Sequence, residues 1–520
     1  MTTFTVDALD LRAQVNAKPQ AGLLPLVAIC VLCAVVGRIA YLYEPFNGDG
    51  AMFAYMGKLA AEGGRFGVDL IDNKFPTVGF ITSVFWRAFG DFWPGYVITQ
   101  MVLALGSALI LTRAAVRSFG EQARWATFLP AIVLLNLNSA VMGGFQLETI
   151  QTFFACVAAA CGMEALRGWD WRDALAAGLC AGCATLVKPT GGAVLGAFIL
   201  SVLFKAPAGM RKWKLVLAAI AGSAIPLAAA LWWLIASDQF SVLPAIARQI
   251  SEYAASTSFD PLDLYRPLSL IVLFSAAMLI RGWVFRRRAI ASIAGTNLWI
   301  FLVLWLTIEF AGVLMQRRMY AYHFLPLAAP AAMLFAALPR RTTTPQLAGV
   351  LALPLIFGFW GSLDTIQTAR QTLQTWPAIT QWLTAHTTPG ERIWRDQTPY
   401  VLLHSDLRPA SRIQLTFIFM NSDTSAGRFA DILIDDLRTT HPPFVVLPAS
   451  VEEHIHHQAH YVSELARIPA RRENFALAWR NIAAFVDSNY QPVKKIGDEM
   501  IWLRNDESRS RNDESITKSE

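Results

Sequence analysis

The chain has 520 residues, of which 54% are hydrophobic and only 16% are charged, and its formal net charge is +6. Soluble proteins average roughly 25% charged residues, so this composition excludes an ordinary soluble protein. The positive charge does not indicate nucleic-acid binding, because the basic residues are confined to clusters between apolar stretches.

Apolar stretches near the length of a transmembrane helix recur along the first 363 residues. About 20 residues cross the hydrocarbon core as a helix, and fewer suffice where the bilayer thins. Nine stretches approach this length: 23–43, 96–112, 125–140, 149–166, 215–236, 268–280, 298–314, 324–338 and 347–363. Two shorter stretches, 174–187 and 191–204, flank Lys188-Pro189 and are expected to be two further spans. The sequence therefore predicts a polytopic α-helical membrane protein with about eleven spans and no cleavable signal.

Arginine and lysine clusters occupy every second loop between these spans, as the positive-inside rule predicts for cytoplasmic faces. The clusters lie at 113–124, 167–172, 205–214, 281–288 and 340–341. This register places the N-terminus in the cytoplasm. The loops 44–94 and 237–266, and the polar C-terminal third, are then expected on the opposite side of the membrane.

Composition divides the chain into four predicted parts. Residues 1–20 form a polar cytoplasmic leader, and residues 21–363 form the transmembrane domain. Its first outer loop, 44–94, carries two helices expected to lie in the membrane interface, 51–61 and 77–89. Short apolar strands alternating with helices predict an extracytoplasmic α/β domain over 364–504, with an amphipathic helix at 376–386 and a strand at 392–395. The polar residues 505–520 are expected to be disordered.

Two groups of residues resemble metal or redox sites but have simpler explanations. All six cysteines fall inside predicted spans, so their two C-x-x-C spacings indicate small buried side chains rather than a metal or redox pair. The cluster His454-x-His456-His457-x-x-His460 has helical metal-ligand spacing but no catalytic carboxylate pattern beside it. A solvated helix face is the favoured interpretation, with adventitious metal binding as the alternative.

The first outer loop concentrates ionisable groups next to the bilayer, where they are costly and usually functional. Asp49 stands in a Gly-Asp-Gly corner, and Asp69, Asp72 and Lys74 precede Phe75-Pro76. Carboxylates are ligands that Mg²⁺ or Mn²⁺ prefers, so Asp69 and Asp72 are candidate ligands of a divalent cation. Solvated loop acids are the alternative, and we expect no definite metal site.

Four short motifs and their order resemble the GT-C superfamily of polyprenyl-phosphate-dependent glycosyltransferases. The bacterial branch near dolichyl-phosphate-mannose protein mannosyltransferases and lipid A aminoarabinose transferases is the most similar. The motifs are Asp49-Gly50-x-x-Phe53-Ala54-Tyr55, Asp72-Asn73-Lys74-Phe75-Pro76, Leu186-Val187-Lys188-Pro189-Thr190-Gly191 and His323-Phe324-Leu325-Pro326. The aminoarabinose branch has a second acid and an arginine directly after the aspartate, where this chain has Gly50 and Met52.

The resemblance implies a sugar transferase of the bacterial inner membrane that acts on its periplasmic face. Asp49 matches the catalytic acid of the family, and a helix N-cap is its structural alternative. Lys74 matches the lysine that contacts the donor phosphate, and Glu148 stands where relatives carry a second acid. Further candidates are Arg317, Arg318 and Lys188 for the phosphate, and Tyr55 and His323 beside Glu148 for sugar or acceptor.

The expected partners are a polyprenyl-phosphate-linked sugar, the bilayer, and an envelope glycolipid, glycan or protein hydroxyl as acceptor. Two other classes of function stay open at this point. A transporter of lipid-linked sugars predicts internal repeats and broken helices at mid-membrane, and no clear repeat is seen. A non-catalytic envelope assembly factor would retain the fold without needing Asp49. The sequence does not identify the sugar or the acceptor.

Overall fold

The computed structural model of the chain describes residues 22–42, 48–137, 144–205, 210–255, 293–316, 320–337, 343–396, 399–420, 425–461 and 469–506. The predicted leader 1–20, the predicted span 268–280 and nearly all of the predicted tail lie outside the described residues. In the membrane domain the helices are α1 Leu23–Ile39, α2 Gly48–Ala61, α3 Thr77–Phe89, α4 Trp93–Phe119, α5 Ala123–Leu134, α6 Leu147–Gly168, α7 Trp171–Val187, α8 Ala193–Lys205, α9 Met210–Ala236, α10 Leu243–Ala255, α11 Ile293–Gln316 and α12 Ala328–Ala336.

Helices long and apolar enough to cross a membrane confirm the polytopic class. Within the described residues five helical segments meet this criterion: Trp93–Phe119, Leu147–Gly168, Arg211–Ala236, Asn297–Gln316 and Thr344–Leu363. Four shorter apolar helical segments accompany them. The predicted number of eleven spans stays a prediction.

Two short helices fill the first outer loop, at 48–61 and 77–89. The second begins and ends where the sequence predicts, and the first begins three residues earlier than its predicted start at Ala51. They pack backbone to backbone at Gly57, where a Cβ atom would lie 2.4 Å from the carbonyl oxygen of Thr82. A glycine is therefore required at this crossing, and it fixes the position of Asp49 relative to the chain that follows Lys74.

The last membrane helix and the first helix of the C-terminal domain are one continuous element. The sequence predicts a span at 347–363 and a separate amphipathic helix at 376–386, whereas α13 runs unbroken from Thr344 to His386 and contains Pro354 and Pro377. A helix shared by both parts limits how independently they can be placed.

The C-terminal domain is α/β, as the alternating pattern predicts. Its five-stranded sheet has the order β2-β1-β3-β5-β4, with β1 parallel to both neighbours and β5 antiparallel to both of its own. The strands are β1 Arg392–Arg395, β2 Arg408–Pro409, β3 Phe444–Pro448, β4 Tyr490–Ile496 and β5 Glu499–Arg504. The helices are α14 Pro399–Leu403, α15 Ser425–Thr440, α16 Val451–Tyr461 and α17 Pro469–Asn489.

This domain rests directly on the first outer loop. Lys58 Nζ donates to the carbonyl of Leu402 at 2.7 Å, and the Ile71 amide donates to the carbonyl of Arg412 at 2.8 Å. Ile71 also packs against the apolar core of the domain. The segment that carries Asp72 and Lys74 is thus held between the membrane helices and the C-terminal domain.

Candidate active site

Asp49, Asp72 and Lys74 converge in the first outer loop. Lys74 Nζ lies 3.1 Å from Asp72 Oδ1 and 3.9 Å from Asp49 Oδ1. The Asp72 side chain is only 8% exposed, whereas those of Asp49 and Lys74 are 33% and 22% exposed. Asp72 therefore orients the ammonium group, and Asp49 faces solvent beside it as a carboxylate able to accept a proton.

The local chain explains this geometry. Asp49 lies in the first turn of α2, where the partial positive charge of the helix N-terminus favours a carboxylate. Phe53, one turn later, presents its ring 5.4 Å from Lys74 Nζ. Asp49 is not the N-cap of α2, because the helix already includes Gly48 and Asp49 lies in its first turn.

A second acid–lysine pair joins two membrane helices. Lys188 Nζ donates to Glu148 Oε1 at 2.5 Å, and the Glu148 side chain is 3% exposed. Glu148 belongs to the first turn of α6 and Lys188 caps the C-terminus of α7. Both charges complement the dipoles of their helices, so this pair holds the two helix ends together.

Aromatic rings cover the second pair. Lys188 Nζ lies 6.0 Å from the centre of the Tyr322 ring, which meets the His323 ring edge-on at 4.6 Å. Tyr320 stacks on Tyr322 at 5.5 Å, and His323 is 7% exposed. His323 is thus a member of the aromatic wall behind Lys188. Arg317 and Arg318 lie outside the described residues.

The two pairs belong to one region. Thr77 Oγ1, three residues after Lys74, donates to the carbonyl of Leu186 at 3.0 Å, two residues before Lys188. The Phe53 ring meets the Phe145 ring at 6.2 Å, close in sequence to Glu148. The first loop therefore contacts the chain segments that carry Glu148 and Lys188.

Solved structures share the fold of this chain. A scan of protein-family models finds no match, and no curated protein matches the sequence. The crystal structure of ArnT from Cupriavidus metallidurans bound to undecaprenyl phosphate aligns with a TM-score of 0.59, 14% identity, and coverage of 93% of this chain and 98% of that one. The apo state of the same protein aligns with a TM-score of 0.58 and 13% identity over 92% and 97%.

The chain has the GT-C fold. This confirms the predicted fold class, and the alignment extends over nearly the whole length of both chains. An oligosaccharyltransferase from Archaeoglobus fulgidus, solved with an acceptor peptide, aligns with a TM-score of 0.48 and 11% identity over 91% of this chain and 72% of that one.

A buried carboxyl group that sequence reasoning missed lies in a helix long and apolar enough to cross a membrane. Glu309 of α11 is 1% exposed, and its Oε1 accepts a hydrogen bond from Gln151 Nε2 at 3.1 Å. The same Nε2 donates to Thr190 Oγ1 at 3.1 Å, in the turn that follows Lys188. Glu309 Oε2 has no hydrogen-bond partner among the described residues. The signal was present in the sequence, because an acid inside an apolar span is a functional candidate by default.

A second missed residue is Arg38, which lies inside the first apolar stretch. Its side chain is fully buried and donates to Asn136 Oδ1 and to the carbonyl of Leu135, each at 3.0 Å, and to Thr149 Oγ1 at 3.4 Å. Thr149 adjoins Glu148 in α6. Arg38 therefore ties α1 and the end of α5 to the start of α6, which carries the second acid.

Tyr55 and the candidate metal ligands occupy separate surroundings. Tyr55 is 4% exposed, and burial raises the pKa of its hydroxyl. Asp69 accepts from the Arg65 amide at 2.7 Å, whereas Asp72 faces Lys74. The described residues contain no group of three side chains able to hold a metal ion. Asp69 also lies 3.9 Å from Arg65 Nε, so each of the two acids faces a basic side chain.

The histidine cluster divides between core and solvent. The His454 ring packs against Trp479 at 4.6 Å, and burial lowers its pKa. His456 and His457 are exposed. The prediction of a solvated face is therefore wrong for His454, because α17 covers that side of α16 and places Trp479 against it.

Proposed function

We propose that the chain is a membrane glycosyltransferase that moves a sugar from a polyprenyl phosphate to a hydroxyl group of an envelope acceptor. The observation that carries the proposal is the position of Lys74, between a buried carboxylate that orients it and a more exposed carboxylate 3.9 Å away. The shared fold of ArnT, solved with undecaprenyl phosphate, supports a lipid phosphate as the ligand of this region.

In the proposed reaction Asp49 acts as the general base. Its carboxylate takes the proton of the acceptor hydroxyl, whose oxygen forms a bond to the anomeric carbon of the donor. The bond between that carbon and the phosphate oxygen breaks, and polyprenyl phosphate leaves with the electron pair. A positioned base contributes typically 10²–10⁴-fold to such a step.

Lys74 stabilises the departing phosphate. An ammonium is a compact point charge suited to a phosphate oxygen, and Phe53 limits the directions in which the side chain can turn. Lys188 would have to leave Glu148 in order to contact the phosphate. We therefore propose that Lys188 stabilises the structure of the site. We propose an orientation with this region on the periplasmic face of the bacterial inner membrane.

The test is sugar transfer by wild type and Asp49→Asn in membranes accessible from the outer face, across a panel of polyprenyl-phosphate sugars. We expect wild type to release polyprenyl phosphate with at least one donor, and the variant to be slower by about 10²–10⁴-fold. The variant should bind the donor at least as tightly as wild type. Equal rates would refute Asp49 as base, and absence of turnover with every donor would favour a transporter or an assembly factor.

A further inference from the structure

A cavity of about 240 Å³ lies where the first outer loop, α10 and the C-terminal domain meet. Pockets for drug-sized ligands enclose roughly 300–1,000 Å³, so this cavity suits a single small group such as one sugar ring. Its polar lining consists of Asp72, Arg248, Gln249, Glu252 and Arg428, and Ile71, Val242, Ile246 and Phe429 form much of the apolar remainder.

The cavity contains a buried polar group without a partner. Gln249 is 9% exposed, and its Nε2 has no hydrogen-bond partner among the described residues. A buried amide N–H is costly when it is left unpaired. Because this side chain lines the cavity, a ligand that accepts a hydrogen bond would satisfy it.

The charges of the cavity favour an anion. Asp72 faces Lys74 at 3.1 Å, and Glu252 faces Arg428 at 3.0 Å. The exposed Arg248 has no opposing carboxylate in the part of the chain that the structure describes. The guanidinium of Arg428 also lies 4.6 Å from the Phe429 ring, which holds it in place. The two acids and two arginines of the lining balance in charge, and Asp72 and Glu252 each face another basic side chain. The guanidinium of Arg248 therefore remains for an anionic ligand.

The cavity adjoins the candidate active site through Asp72. One face of this residue lines the cavity, and its Oδ1 contacts Lys74, which lies 3.9 Å from Asp49. A group bound in the cavity therefore contacts Asp72, the residue that orients Lys74. An acceptor that extends from the cavity past Asp72 would bring its hydroxyl to the carboxylate of Asp49.

We propose that this cavity binds a negatively charged sugar residue of the acceptor, such as a uronate or a sugar phosphate. The inference rests on the proposed function and deepens it. Arg248 would contact the anionic group, and Gln249 Nε2 would donate to a ring or hydroxyl oxygen.

The test uses the purified full chain in detergent and saturation-transfer NMR, with D-glucuronate and neutral D-glucose as probes. We expect wild type to bind glucuronate better than glucose. Arg248→Gln and Gln249→Leu should each weaken glucuronate binding about tenfold. Arg480→Gln is the control, because it removes an exposed guanidinium of the C-terminal domain that does not line the cavity and that pairs with Glu452 at 2.6 Å.

Three outcomes would overturn the proposal: equal binding of the two probes, glucuronate binding that survives both cavity substitutions, or an equal loss in the control. Thermal unfolding of each variant shows whether the fold is retained, and Arg248→Lys serves as a conservative variant that keeps the charge.

A second binding experiment tests the cavity independently of the proposed function. Glucuronate binding is repeated with saturating polyprenyl-phosphate sugar. Simultaneous binding supports an acceptor cavity, whereas displacement would assign the cavity to the donor sugar and refute the proposal. Binding that maps to Arg248 and Gln249, together with a chain that transfers no sugar, would keep the cavity and refute the glycosyltransferase.

Discussion

The contacts Asp49–Lys74 and Glu148–Lys188 each join a carboxylate to a lysine, but they differ in distance and in the exposure of the carboxylate. In the first loop, Lys74 is 3.9 Å from a carboxylate that is 33% exposed, whereas Lys188 is 2.5 Å from a carboxylate that is 3% exposed. A buried charge is tolerated only with its partner in place. The comparison therefore supports the proposal that Asp49 is the reactive acid, whereas Glu148 holds two helix ends together.

The sequence alone does not distinguish Asp49 from Glu148. Asp49 and Glu148 each begin a helix next to an apolar stretch, and both are candidates for a base or a cap. What separates them is the distance from each carboxylate to its lysine and the exposure of the carboxylate, which depend on the packing of α3 against α7.

The largest expected effect concerns the two lysines. Lys188→Met should lower the free energy of unfolding by about 3 kcal/mol, the lower end for breaking a buried ion pair, because Lys188 keeps 22% exposure. Lys74→Met should cost less, about 1–3 kcal/mol, because it leaves the carboxylate of Asp72, which is 8% exposed, without its cation. Thermal unfolding in detergent measures both, and equal losses would remove the distinction between the pairs.

Gln151 connects Glu309 to Thr190, two residues after Lys188. Substitution of Glu309 should therefore also lower the free energy of unfolding. Glu309→Ala should cost about 1–3 kcal/mol, since it leaves Gln151 without one of its acceptors. Glu309→Gln is the matched variant that keeps an acceptor oxygen, and it should cost less than about 1 kcal/mol. If alanine and glutamine behave alike in thermal unfolding, the hydrogen bond does not hold the turn at Thr190.

Asp49→Asn should leave stability within about 0.5 kcal/mol of wild type, as for most surface substitutions. Binding of undecaprenyl phosphate, measured by quenching of tryptophan fluorescence, should be unchanged or severalfold tighter, because a negative charge beside Lys74 is removed. Weaker lipid binding together with lower stability would instead make Asp49 a structural residue like Glu148.

The smallest effect is a pH dependence that originates in the C-terminal domain. Burial lowers the pKa of His404, and Lys58 adds to the effect while Asp91 opposes it. Below the usual histidine pKa of about 6.5, the unfolded chain binds more protons than the folded one. Stability should therefore be lost as the pH falls from 7.5 towards 5.5.

The thermal midpoint at these two pH values measures this loss. His404→Gln should show a smaller decrease than wild type, and His456→Gln, at an exposed position of α16, serves as the control. An unchanged decrease in His404→Gln would exclude His404 as the group responsible.

Much of the fold followed from local patterns. The helix at Thr77–Phe89 and the strand at Arg392–Arg395 have the predicted bounds, since apolar periodicity and flanking turn residues are encoded in a few neighbouring positions. The edge strand at Tyr490–Ile496 escaped prediction, because Pro492, Lys494 and Lys495 make its sequence polar. The resemblance implied separate roles for Asp49 and Lys74, and only the structure showed that they lie 3.9 Å apart. Glu309 was overlooked, although its position in an apolar span pointed to it.

By itself the sequence determined that this is a membrane protein of many helices with a polar α/β end, because hydropathy and charge are properties of composition along the chain. The tertiary structure alone decided that Lys188 belongs to Glu148, that Arg38 supports the same helix end, and that Gln249 faces a cavity next to Asp72. These contacts join residues far apart in the chain, and their energies depend on burial and distance, which no local pattern specifies.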